Sequence, residues 1–70
     1  MKRKEVIENF VQEMRKQKGV TQQEFAESVG VTRQTVISIE KGNYVPSVLL
    51  ALKIALYFDV SVESVFNIQK

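Results

Sequence analysis

The sequence contains neither cysteine nor histidine. Disulfides are therefore excluded, and so are the Cys and His ligand sets that usually hold zinc. A glycine-rich phosphate loop is missing, as is any pair of inward-facing carboxylates able to act as acid and base, so nothing argues for an enzyme. No cofactor and no metal are expected. No apolar run approaches membrane-spanning length, and no export-signal core follows the basic start Met1-Lys2-Arg3-Lys4. A cytoplasmic chain forming one domain over residues 1–70 is the expectation. A chain this short buries only roughly 60% of its unfolded surface, so stability has to come from efficient apolar packing, helped by association with another copy.

What is present suits a folded chain: 44% of residues are hydrophobic and 26% charged. The net charge of +2 is small. Its distribution says more. From Ser28 to Phe58 the only acid is Glu40, against Arg33, Lys41 and Lys53, whereas Glu5, Glu8, Glu13, Glu24 and Glu27 crowd the earlier part. A middle section so poor in negative charge is a surface that a polyanion could approach, unless the gap in acids is chance.

Gly19, Gly30 and Gly42 punctuate the chain, each able to close a short helix in the left-handed conformation. Thr21, Thr32, Ser47 and Ser61 stand where N-caps belong. Thr21 with Glu24 forms a capping box, and Ser61 with Ser64 a weak one. The only proline, Pro46, sits just before the fourth helix. Five helices are predicted, at roughly residues 4–18, 22–29, 33–41, 48–58 and 62–67. Val6, Phe10, Val11 and Met14 recur at three to four residues, as do Phe25, Ala26 and Val29. The brief alternation at Val60, Val62 and Val65 is too short to argue for a sheet. The expected fold is all-α, a compact five-helix bundle.

Helix 22–29, the connection Gly30-Val31-Thr32 and helix 33–41 have helix-turn-helix spacing. In that motif the first helix crosses the DNA backbone while the second lies in the major groove, about 12 Å wide. Stepping 100° per residue around the second helix turns Val36, Ile39 and Glu40 inward. Gln34, Ile37, Ser38 and Lys41 then face out, with Arg33 beside them. Arginine can bond O6 and N7 of guanine together, glutamine can match N6 and N7 of adenine, and Ile37 could lie on a thymine methyl. An ordinary solvated helix face is the competing reading.

The run Val20-Thr21-Gln22-Gln23-Glu24-Phe25-Ala26-Glu27-Ser28-Val29-Gly30-Val31-Thr32-Arg33-Gln34-Thr35-Val36 resembles the helix-turn-helix of phage repressors and Cro proteins, the xenobiotic-response-element family. Its continuations, Ile39-Glu40-Lys41-Gly42-Asn43-Tyr44-Val45-Pro46-Ser47 and Ala51-Leu52-Lys53-Ile54-Ala55, are similar to the small single-domain regulators of that family. The likeness extends over about residues 8–66. It implies a lambda-repressor-like DNA-binding domain that binds a palindromic operator as a homodimer, as a repressor. Gln22 matches a phosphate-touching position. Thr32, Arg33 and Gln34 match the residues that enter the groove first, Thr35 and Ser38 match further DNA-facing positions, and Lys41, Asn43 and Tyr44 match the loop that grips the backbone. Thr32 is also a helix cap, and Tyr44 could instead pack its loop on the core. Ile37 and Ser38 depart from the pattern, which often has a small polar and a basic residue there. Asp59 stands where the family favours glycine or asparagine.

The resemblance also pairs Arg15 on the first helix with Glu40. Read as structure, this is a partly buried ion pair fixing the recognition helix; read as function, Arg15 touches DNA. The first is preferred. The fourth helix is more apolar than one core needs: Val48, Ala51, Ile54, Ala55 and Phe58 form its expected inner stripe, leaving Leu49, Leu52 and Leu56 to one side. With Tyr57, Val65, Phe66 and Ile68 these leucines form or border a homodimer contact, or they cover a larger core. The competing function is a protein-interaction module, such as an antitoxin that holds a protein partner.

Overall fold

The computed structural model describes residues 6–69. The elements run β1 (Val6–Asn9), α1 (Val11–Lys18), α2 (Gln22–Val29), α3 (Arg33–Glu40), α4 (Val48–Phe58), α5 (Val62–Val65) and β2 (Phe66–Gln69). Among the described residues the fold is helical, with five helices, but not purely all-α. β1 and β2 pair antiparallel, with Ile7 opposite Ile68 and Asn9 opposite Phe66.

This small sheet shortens the first helix. Residues 6–10 of the predicted helix 4–18 are not helical, and residues 4 and 5 lie outside the described residues. The cause is local and distant together. Asn9 Oδ1 accepts from the Val11 N–H at 3.1 Å, taking one of the donors that a new helix leaves free. The β-branched Val6 and Ile7 then suit a strand, and β2 supplies its partner. At the other end, α5 stops at Val65 rather than residue 67, because Phe66 turns extended (φ −124°, ψ 130°) to enter β2. The Phe10 N–H donates to the Val65 carbonyl at 3.0 Å, closing the chain ends onto each other.

The other boundaries follow from capping. Thr21 and Glu24 exchange both bonds of a capping box, at 3.0 and 2.8 Å. Thr32 accepts from the Thr35 N–H at 3.2 Å and Ser47 from the Leu50 N–H at 3.1 Å. Ser61 instead meets Ser64 hydroxyl to hydroxyl at 3.0 Å, without capping α5 through its side chain. Asp59 adopts the left-handed conformation (φ 58°, ψ 46°) and ends α4, a role aspartate tolerates better than most residues.

The core comprises Val11, Phe25, Ala26, Val29, Val36, Ile39, Leu50, Ile54, Ala55 and Val65, contributed by all five helices. Phe25 anchors it between Tyr57 (ring centroids 5.2 Å apart, edge-to-face) and Phe58 (5.3 Å, stacked). The inner face of α4 is Leu50, Ile54 and Ala55, not a stripe beginning at Val48, which is 77% exposed. Val48 shares an azimuth with Ala55 but lies two turns earlier, beyond the packing that covers Ala55. Leu50, one turn before Ile54, takes its place.

Candidate nucleic-acid interface

α2 and α3 are joined by Gly30, Val31 and Thr32. The turn works because Gly30 adopts φ 78°, ψ 33°, a left-handed conformation that costs a residue with a Cβ energy. Its N–H, and that of Val31, return to the Ala26 carbonyl. Thr32 then caps α3 in extended conformation. Val36 and Ile39 are buried against the core, which fixes the rotation of α3 about its own axis. Arg33 and Gln34 are consequently exposed in the first turn, while Thr35, Ile37 and Ser38 are half-buried beside them. Thr32, Lys41, Asn43 and Tyr44 are exposed and continue this surface into the following loop. The Asn43 N–H donates to the Ser38 carbonyl at 2.9 Å, so the loop folds back on the helix end.

The pose of α3 is fixed at its C-terminal end by an ion pair. Arg15 Nε donates to Glu40 Oε2 at 2.7 Å, and its Nη2 reaches Oε1 at 3.4 Å. Arg15 Nη1 donates to the Val20 carbonyl at 2.9 Å. The two side chains are 10% and 3% exposed. Gln22 joins this cluster: its Nε2 donates to Glu40 Oε1 at 3.1 Å. Glu40 therefore ties α3 to α1 and to the start of α2 at once. Among the described residues no buried side-chain nitrogen or oxygen lacks a partner, so the cluster is fully satisfied.

The residues expected at a dimer surface divide in two. Leu49, Leu52, Leu56 and Ile68 are exposed, Leu56 by 80%. Val65, in contrast, is fully buried and belongs to the core, because the last turn of α5 packs inward before the chain enters β2. Phe66 is half-buried against the same core. Tyr57 is half-buried too, its ring held between Phe25, Phe58 and the Lys18 ammonium, which lies 5.1 Å from the ring centroid.

One residue that sequence reasoning missed touches this site. Asn9 Nδ2 donates to the carbonyl of Ile39, in the last turn of α3, at 2.9 Å. An asparagine just ahead of the apolar repeat Val11–Met14 is itself a helix-start signal, and it could have marked this position.

A helix pair joined by a glycine turn, with the second helix carrying an exposed basic and amide end, defines a helix-turn-helix DNA-binding domain. The helix-turn-helix family profile matches residues 11–65. The chain is 52% identical over 64 residues to the helix-turn-helix-type transcriptional regulator YgzD of Bacillus subtilis, covering 91% of this chain and 97% of that one. A second such regulator, from Methanothermobacter thermautotrophicus, is 55% identical over 49 residues, covering 70% and 71%. Among solved structures, the restriction-modification controller protein C.AhdI from Aeromonas hydrophila superposes with a TM-score of 0.71 at 30% identity, over 77% of this chain and 78% of that one. The chain belongs to the helix-turn-helix family of DNA-binding transcriptional regulators.

Proposed function

We propose that the chain is a homodimeric, sequence-specific repressor of the cytoplasm that inserts α3 into the major groove of a palindromic operator, and that its work is binding, not catalysis. The observation that carries this reading is the exposed Arg33-Gln34 pair at the capped start of a helix whose opposite face is buried. In this reading Arg33, Gln34, Ile37 and Ser38 meet base edges, and Thr32, Thr35, Lys41, Asn43 and Tyr44 meet the backbone. Gln22 spends one amide hydrogen on Glu40 and keeps the other for a phosphate.

In this reading the second copy docks against α4. Leu49, Leu52 and Leu56 are exposed within one helix, and contiguous apolar surface of this kind marks an interface. Two copies related by a twofold axis would present their α3 helices to half-sites about 34–36 Å apart. Binding sites selected from a randomised duplex pool are therefore expected to contain two inverted half-sites one helical turn apart. Sedimentation of the wild type is expected to show a dimer, and Leu49→Glu combined with Leu56→Glu a monomer. An unaltered mass in the double variant would dismiss the interface.

The same leucines favour a second reading, a module that chiefly binds another protein. A selection that recovers no preferred duplex would leave that reading standing and remove the first.

A further inference from the structure

We propose that Asn9 is a positioning residue for DNA recognition, holding the end of α3 to the terminal sheet so that the exposed row on α3 is aimed. The inference rests on α3 being the reading helix. Asn9 sits at the end of β1, opposite Phe66 of β2, and uses both ends of its amide. Its Oδ1 accepts from the first N–H of α1, and its Nδ2 donates across the fold to the Ile39 carbonyl. Among the described residues this is the one hydrogen bond that joins the sheet to α3. The next loop makes no substitute. Tyr44, Val45 and Pro46 face Ile7, Phe66 and Ile68 across an open groove of about 550 Å³.

The bonded carbonyl occupies a telling place. Ile39 O also accepts from the Gly42 N–H at 2.9 Å, so it closes the turn from which Lys41, Asn43 and Tyr44 project. Glu40, the adjacent residue, is gripped by Arg15 and Gln22. Two successive residues are thus held by two different routes, one through a side chain and one through a backbone oxygen. Burial of Val36 and Ile39 and the Glu40 ion pair already hold this helix end, and a second polar fastening on the neighbouring residue opposes its residual pivot. Recognition by bidentate contacts depends on such alignment, whereas attraction to phosphates does not.

Two substitutions separate aiming from folding. Asn9→Asp and Asn9→Ser both keep an oxygen for the Val11 N–H, since aspartate, and more weakly serine, makes the same turn onto the N–H two residues on. Neither places a donor on Ile39 O: aspartate has none, and the serine hydroxyl is too short. The probes are the duplex that the wild type selects from a randomised pool and a scrambled duplex of the same composition. Both variants are expected to melt cooperatively, to bind the scrambled duplex with wild-type affinity and salt dependence, and to lose about three- to tenfold in the selected-to-scrambled ratio, the scale of one hydrogen bond. An unchanged ratio, an equal loss on both duplexes, or variants that no longer fold would each overturn the proposal. A wild type that prefers no duplex would overturn the reading of α3 itself, and this inference with it.

Discussion

Arg15→Ala is expected to lower both thermal stability and DNA affinity. The guanidinium it removes makes three hydrogen bonds, two to Glu40 and one to the Val20 carbonyl. What remains is the worse part. The Glu40 side chain, 3% exposed, would be left with only the Gln22 amide as partner. Stranding one member of a buried pair costs about 3–5 kcal/mol. A domain of this size has a total stability of only ~4–10 kcal/mol, so the loss is a large share of it. The melting temperature should fall by more than about 10 °C. Replacing both charges by apolar residues, Arg15→Met with Glu40→Leu, should recover much of that stability, because no charge is left unpaired. Calorimetry of the three proteins checks this. Lost affinity with unchanged melting in Arg15→Ala would instead make Arg15 a direct DNA contact.

The second large effect concerns Arg33. It is exposed in the first turn of α3, and no hydrogen bond or ion pair within the described residues occupies it. Its removal should leave melting almost unaltered. On the duplex that the wild type selects, Arg33→Ala should cost ~1–3 kcal/mol of binding and relax the base preference at one position, as removal of a bidentate bond to guanine does. Lys41→Ala is the contrast. The proposed complex sets the Lys41 ammonium beside a phosphate, so without it selected and random duplexes should bind more weakly alike, and the salt slope should fall by about 1. Equal losses on both duplexes for Arg33→Ala would assign it to the backbone.

The helices around the glycine turn could be read from the sequence because their signals are local. Thr21 and Thr32 each open a helix, Gly30 closes one, and the 100° step explains why Val36 and Ile39 are buried while Arg33 and Gln34 are exposed. Such signals act within one turn of helix. The terminal sheet was hidden for the opposite reason. Val6, Phe10, Val11 and Met14 fit helical spacing, and only pairing with Phe66–Gln69, at the far end of the chain, makes Val6–Asn9 a strand. Long-range partners leave no trace in a periodicity. The same holds for the Asn9 bond to Ile39, and for Val65, whose burial depends on how α5 closes onto the chain start. The pairing of Arg15 with Glu40 spans 25 positions, and the family likeness, not spacing, brought those two residues together.

The electrostatics of the chain agree with a division of labour. In the proposed complex, a net charge of only +2, with Ile37 and Ser38 half-buried on the face given to base reading, makes long-range attraction to DNA modest. Discrimination then leans on close fit, by methyl contact and by DNA shape. That makes the rigidity of α3 matter more than its charge, and the fastenings at Ile39 and Glu40 supply it.

The most direct test is a nuclear magnetic resonance measurement of proximity in the complex with the selected duplex. Cross-relaxation is expected between the Ile37 methyls, or the Arg33 side-chain protons, and thymine methyls or cytosine ring protons, which line the major groove. Contacts confined to minor-groove sugar protons, or arising from a surface other than α3, would contradict it.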